Sequence, residues 1–153
     1  MSLIVHHLNN SRSQRILWLL EELGLDYDIR RYERDAVSNL APPELKKIHP
    51  LGKSPVLEDD GRIISESAAI VEYLCLRHGG ENLIPARDSD EYLDYLQLMH
   101  FAEGSAMTPI LMNLYVARLG EAGAPLIPRI HEQLASHFHY MEQLLGDRAH
   151  FIG

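Results

Sequence analysis

The sequence predicts a mixed α/β domain of order β-α-β-α-β-β-α over residues 1–80, followed by an all-helical domain over residues 87–153. Three observations predict it. An Asp60-Gly61 step stands between two short apolar runs, and such a step marks a hairpin because both turn positions require φ > 0. Upstream, short strand-like runs alternate with stretches of helical period. Beyond residue 86 the strand signals stop and long helical patterns take over, which places a domain boundary near residues 82–87.

The elements follow in order. Leu3, Ile4 and Val5 suit a short buried strand. His6 and His7 come next on opposite faces, so one strand cannot bring both to one metal; they read as structural or solvent-facing. In Asn9-Asn10-Ser11-Arg12-Ser13-Gln14, the pair Ser11 and Gln14 has the form of a capping box that opens a helix at Arg12. Ile16, Leu20 and Leu23 recur at helical spacing, Leu17 and Leu19 widen the stripe, and Gly24 ends it. Residues 26–32 alternate as a second strand and feed a charged loop. Pro42 and Pro43 lead into a short helix ending at His49-Pro50-Leu51-Gly52. Strands at 55–58 and 62–65 flank the Asp-Gly turn, and a helix over 67–78 is stopped by Gly79-Gly80. Asp88 or Ser89 is placed to cap a long helix to about Leu119, which Gly104 and Pro109 weaken or bend. Residues 125–146 read as another helix.

Bulk composition narrows the function. Twenty-two acidic residues against 14 basic ones give a formal net charge of −8, the reverse of a nucleic-acid footprint. The single cysteine, Cys75, excludes an internal disulfide framework and fits a reducing cytoplasm. It reads as a packed small residue, not a nucleophile. No apolar run approaches the roughly 18 residues of a membrane span, and the N-terminus lacks the basic start and apolar core of a signal peptide. A cytoplasmic protein is therefore expected. His131, His137 and His139 share no helical face, so no metal is expected.

The stretch LGKSPVLEDDGRIISESAAI concentrates the chemistry. Ser54-Pro55 is a candidate cis peptide, which would turn the N–H and C=O of Val56 outward to pair with an extended ligand. Glu66 and Ser67 stand where a helix starts and can hold the charged end of a small ligand. With its flanks, this run resembles the glutathione-binding half of the cytosolic glutathione transferases, and SRSQRILWLLEELGLDYDI resembles their first helix and second strand. The resemblance is close over residues 3–80 and looser beyond.

The resemblance implies a thioredoxin-like N-terminal domain and a helical second domain. It implies bound glutathione as co-substrate, with Glu66 and Ser67 at its γ-glutamyl end, Ser54, Pro55 and Val56 at the cysteinyl backbone, and Lys53 or His49 at the glycine carboxylate. A serine-type mechanism puts Ser11 against the sulfur, with Asn10 next and Ser13 last as alternatives. A hydroxyl at a helix N-terminus favours a thiolate through its hydrogen bond and the positive dipole end. No cysteine lies between Val5 and Arg15, so a thiol must come from the co-substrate or substrate. Met99, Phe101, Met107, Met112 and Tyr115 read mainly as core or dimer contacts, some of them lining a pocket for a hydrophobic electrophile.

Similar words to the closing His150-Phe151-Ile152-Gly153 open a further helix in that family, and more helices follow. Two long helices without those partners leave an apolar face uncovered, which predicts association, in the family a homodimer, or instability. The expected activity is a glutathione transferase acting in detoxification. Disulfide or peroxide reduction, isomerisation, and a non-catalytic binding module are the alternatives.

Overall fold

The computed structural model describes residues 2–152 and falls into two compact units, one ending at Ile84 and the other beginning at Pro85. In the first unit a four-stranded sheet runs in the order β2-β1-β3-β4, built from β1 (Leu3–Leu8), β2 (Asp28–Tyr32), β3 (Val56–Asp59) and β4 (Arg62–Ser65). Helix α1 (Ser13–Glu22) makes the crossover between parallel β1 and β2, whereas β3 runs antiparallel to both β1 and β4. Helices α2 (Leu45–Ile48) and α3 (Ser67–Arg77) complete the β-α-β-α-β-β-α order.

The alternation of β1 sends Leu3 and Val5 to one face, where they meet Leu57, Ile16 and Leu20 of α1, and Ile70 and Leu74 of α3. Burying such a side chain contributes about 1.5–3 kcal/mol. Leu17, Leu19 and Leu23 pack around this core partly buried, as their helical spacing predicts. The Asp60-Gly61 turn has φ of 45° and 85°, the paired positive values that the hairpin needs. Strand β2 begins at Asp28, two residues later than expected. It is the sheet's edge, largely exposed and charged, a composition that discourages further strand pairing.

Two buried polar clusters pin this unit. On β3, one oxygen of Asp59 accepts from the Tyr73 hydroxyl and from His78 Nε2, each at 2.8 Å. This clasp ties the C-terminal end of α3 to the sheet. Burial alone would raise the Asp59 carboxyl; the two hydrogen bonds and the charge of His78 outweigh it and hold it below its ordinary value. His6, wholly buried, lies 2.8 Å from the Tyr32 hydroxyl and 3.5 Å from a Glu58 oxygen. Desolvation lowers its pKa against the pull of Glu58. Cys75 is buried at 3% exposure, and burial, then Glu72, pushes its thiol up, which fits a packed residue.

In the second unit α4 (Asp90–Phe101) runs through a π-helical stretch, Ala102–Ala106, into α5 (Met107–Ala117). Pro109 has no N–H to bond the carbonyl of Ser105, and the backbone widens just ahead of it. The bend expected from Gly104 and Pro109 takes this form. Ser89 precedes α4, but its hydroxyl donates back to Ala86 O at 2.8 Å in place of capping the helix. A 3-10 segment, Gly120–Leu126, leads into α6 (Ile127–Leu145), which Gly146 closes at φ 54°. Phe101 meets His137 and Tyr140 edge-on at 5.6 and 5.2 Å. With Leu96 they line a groove between α4 and α6, while Met112 and Tyr115 are 38% and 57% exposed.

Candidate functional site

The turn from β1 into α1 depends on Asn10 at φ 53°, a left-handed conformation that Asn tolerates better than most residues. Helix α1 begins at Ser13, one residue later than expected, because Arg12 holds the N-cap place without a side-chain cap bond. Ser11 caps from one step earlier, its Oγ accepting from the Ser13 N–H at 3.2 Å. The hydroxyl therefore sits at the positive end of the helix, as the sequence suggests.

Three hydroxyls converge there. Ser11 Oγ lies 2.7 Å from Ser13 Oγ and 3.2 Å from Ser54 Oγ. Ser54 in turn donates to the carbonyl of His6 at 2.8 Å. Ser13 is fully buried and lies 2.8 Å from His7 Nδ1, so it supports Ser11 and does not itself face a ligand. Of the three residues weighed for the sulfur, Ser11 is part-buried within this cluster and Asn10 is exposed.

Arg34 braces the loop, and sequence reasoning passed over it as one charge in a charged loop. Its guanidinium donates to the carbonyls of Asn9 at 3.0 Å, Asn10 at 3.1 Å and Asn39 at 3.0 Å. Across a trans peptide the N–H points opposite the C=O. Holding the Asn9 and Asn10 carbonyls therefore turns the N–H groups of Asn10 and Ser11 away from Arg34. No local pattern announces this role, since the contacts reach back 24 and 25 residues.

The Ser54-Pro55 peptide is cis. Val56 departs from expectation. It aligns with His6 on β1 and with Ser65 on β4, and in antiparallel pairing both backbone groups of a residue point to the same neighbouring strand. Its N–H and C=O are thus directed within the sheet, and Ser54 lies ahead of the ladder. The same register sets Glu66, one step past Ser65, across from Pro55. Glu66 is exposed and holds φ 69° and ψ 116°, a conformation that costs a non-glycine residue about 1–3 kcal/mol. Its carbonyl accepts the first bond of α3 from Ile70 N at 2.9 Å, and Ser67 is buried at 5% exposure as the helix begins.

His49 folds onto its own loop: its carbonyl accepts from Gly52 N at 2.8 Å and its Nδ1 from Leu51 N at 3.4 Å. Lys53 is exposed. Gly52 has φ 58°, and a Cβ there would come within 2.6 Å of Lys46 Cγ. The Lys46 stem thus runs against the residue before Lys53, adding a cation that the sequence reading did not single out. Among the described residues no group of three or more His, Cys, Asp or Glu side chains is arranged to hold a metal ion, and no helix is long and apolar enough to cross a membrane.

With this geometry in view, residues 1–75 match the family model for the glutathione S-transferase N-terminal domain. Glutathione S-transferase 3 of Schizosaccharomyces pombe is 42% identical over 127 residues, which cover 83% of this chain and 51% of that protein. Glutathione S-transferase 1 of Saccharomyces cerevisiae is 38% identical over 127 residues, covering 79% and 54%. The chain thus spans about half the length of these curated relatives. A crystal structure of a glutathione S-transferase from Actinobacillus pleuropneumoniae superposes with a TM-score of 0.85 at 34% identity, over 99% of this chain and 69% of that one. The Phanerochaete chrysosporium transferase URE2P8, crystallised with oxidized glutathione, gives 0.81 at 25% identity, over 99% and 70%. The chain belongs to the glutathione S-transferase family.

Proposed function

We propose that this chain carries the glutathione site of a glutathione transferase that activates the bound thiol for attack on a hydrophobic electrophile. The observation that carries the reading is the convergence of Ser11 and Ser54, 3.2 Å apart, at the start of α1, with Glu66 set across from Pro55 by the β3–β4 register and Ser67 beside it at the start of α3. In this reading the Ser11 hydroxyl, at a helix N-terminus, donates to the sulfur and stabilises the thiolate, the form that attacks. Asn10 and the backbone N–H of Ser11 are the alternative donors. The backbone of Ser54, ahead of Pro55 and Val56, pairs with the cysteinyl unit. Glu66, Ser67 and the N-terminus of α3 hold the γ-glutamyl end, where the carboxylate of Glu66 meets the ligand's ammonium and the helix end meets its carboxylate. Lys53, with Lys46 and His49 beside it, takes the glycine carboxylate. The relative crystallised with oxidized glutathione supports this choice of co-substrate, and no metal is required for it.

The lack of cysteine between Val5 and Arg15 weighs against a reductase that uses its own thiol there. The single buried Cys75 is in keeping with a cytoplasmic setting, and the exposed apolar side chains of α5 with a homodimer. Electrophile conjugation in detoxification is the role that follows. Calorimetric titration of reduced glutathione into the chain tests the site. Binding is expected, and Glu66→Ala should weaken it by about tenfold, the loss of one charge-assisted contact. Equal affinity in the variant would remove Glu66 from the site, and no binding by a folded sample would overturn the reading.

A further inference from the structure

We propose that His7 is a positioning residue that sets which way the Ser11 hydroxyl points, through a chain of hydrogen bonds running His7 Nδ1–Ser13 Oγ–Ser11 Oγ. The inference rests on the reading that Ser11 faces the thiol of bound glutathione, and it follows from counting hydrogens. The links are 2.8 Å between His7 Nδ1 and Ser13 Oγ, and 2.7 Å between Ser13 Oγ and Ser11 Oγ. At the far end His7 Nε2 lies 3.1 Å from Asn9 Oδ1. Each hydroxyl has one hydrogen and two lone pairs. The hydrogen of Ser54 is committed to the carbonyl of His6, so Ser54 can only accept from Ser11. Ser11 also accepts from the Ser13 N–H.

Setting aside the long 3.4 Å approach of Ser13 Oγ to the Leu8 carbonyl, two directions can be written for the chain, and each leaves one contact to adjust. In the inward one, neutral His7 donates from Nε2 to Asn9 Oδ1 and its Nδ1 accepts from Ser13. Ser13 then accepts from Ser11, whose single hydrogen is used up; the 3.2 Å approach to Ser54 carries no hydrogen, and Ser11 presents a lone pair to a ligand. That arrangement repels a thiolate. In the outward one, His7 carries its hydrogen on Nδ1 and donates to Ser13, and Ser13 donates to Ser11. Both lone pairs of Ser11 are then filled from Ser13, and its hydrogen, which rests on Ser54 Oγ in the ligand-free site, is free to turn to the sulfur. Only the outward direction stabilises a thiolate. The exchange breaks no bond of the ligand. One hydrogen leaves Nε2 and one is taken up at Nδ1 through solvent, while the Asn9 amide turns to donate its Nδ2–H to Nε2. Ser13, Ser54 and Asn9 are uncharged, and the charged group braced on this loop is Arg34, through the carbonyls of Asn9 and Asn10. Fully buried Ser13 shields the middle of the chain from water that would scramble its direction.

The test uses the 153-residue chain and the pH at which the thiol of bound glutathione ionises, read from thiolate ultraviolet absorbance. His7→Leu should raise that pH by about one unit, the equivalent of one hydrogen bond, with little change in glutathione affinity. His7→Asn, whose amide N–H can take the place of Nδ1–H, should restore most of the shift. Ser11→Ala separates the two layers. If it moves the titration and His7→Leu does not, the positioning role is overturned while the site reading stands. If Ser11→Ala moves nothing, the site reading fails and the proposal with it. A measurement on the unsubstituted chain covers the case of a variant that does not fold. Nitrogen NMR of His7 should show Nδ1 gaining its hydrogen on addition of reduced glutathione, and not with S-methylglutathione, which has no ionisable thiol. An Nδ1 that stays hydrogen-free beside a bound thiolate overturns the proposal.

Discussion

Removing the hydroxyl of Tyr73 should cost the first unit about 2 kcal/mol. The hydroxyl is one of two donors to Asp59 Oδ2, each at 2.8 Å. The carboxylate is 8% exposed and the His78 side chain 3%. A hydrogen bond to a charged group contributes about 1.5–3 kcal/mol, and a buried acceptor robbed of a partner keeps its desolvation penalty. Tyr73→Phe keeps the ring and deletes only the donor. Tyr27→Phe is the matched control, since Tyr27 donates to Glu21 at 2.7 Å on the exposed surface, where such changes stay within about 0.5 kcal/mol. The two bonds have nearly equal lengths, so burial alone should separate their losses. Urea unfolding near pH 7 measures both, with the slopes compared to exclude a change in the unfolded chain. The sign of the pH dependence follows from the lowered Asp59 carboxyl. Its contribution is fully present above the unfolded carboxyl pKa of about 3.9 and is lost as pH falls through the lower folded value. The deficit of Tyr73→Phe should therefore shrink below about pH 4, as the carboxyl becomes protonated in the unsubstituted chain as well. A deficit under about 0.5 kcal/mol, one equal to the control's, or one unchanged in acid would refute the reasoning.

Two further outcomes follow from the geometry. Arg34→Lys replaces a fork that reaches three carbonyls with a single ammonium. The turnover of glutathione with an aryl halide should fall about tenfold or more as the Ser11 loop loosens, and an unchanged kcat/KM would remove Arg34 from that role. Gly80→Ala would set a Cβ 2.8 Å from the Cys75 Cα and 3.0 Å from Leu23 Cδ2. Backbone at that distance yields poorly, so thermal unfolding should report a loss of about 1–3 kcal/mol; a melt like that of the unsubstituted chain would mean that the end of α3 shifts freely.

The sequence by itself determined the elements and the chemical inventory of the site, because both are written in local terms. Asp60-Gly61 demands positive φ whatever surrounds it, the stripe of Ile16 and Leu20 has its helical period built in, and the missing cysteine between Val5 and Arg15 leaves that loop without a thiol of its own whatever the fold. Ser11 could be placed at a helix start for the same reason. Only the tertiary structure decided what depends on contacts between distant segments. The pairing of β3 with both β1 and β4 turns the backbone of Val56 into the sheet, with Ser54 ahead of the ladder. The contacts of Arg34, His7 and Lys46, and of the Asp59, Tyr73 and His78 clasp, were decided in the same way, by segments distant in sequence or by the closing of the loop. A charged loop residue or a strand-end histidine looks the same in sequence whether it meets solvent or a buried partner. The difference lies in desolvation and hydrogen-bond geometry, which exist only once the chain has closed on itself.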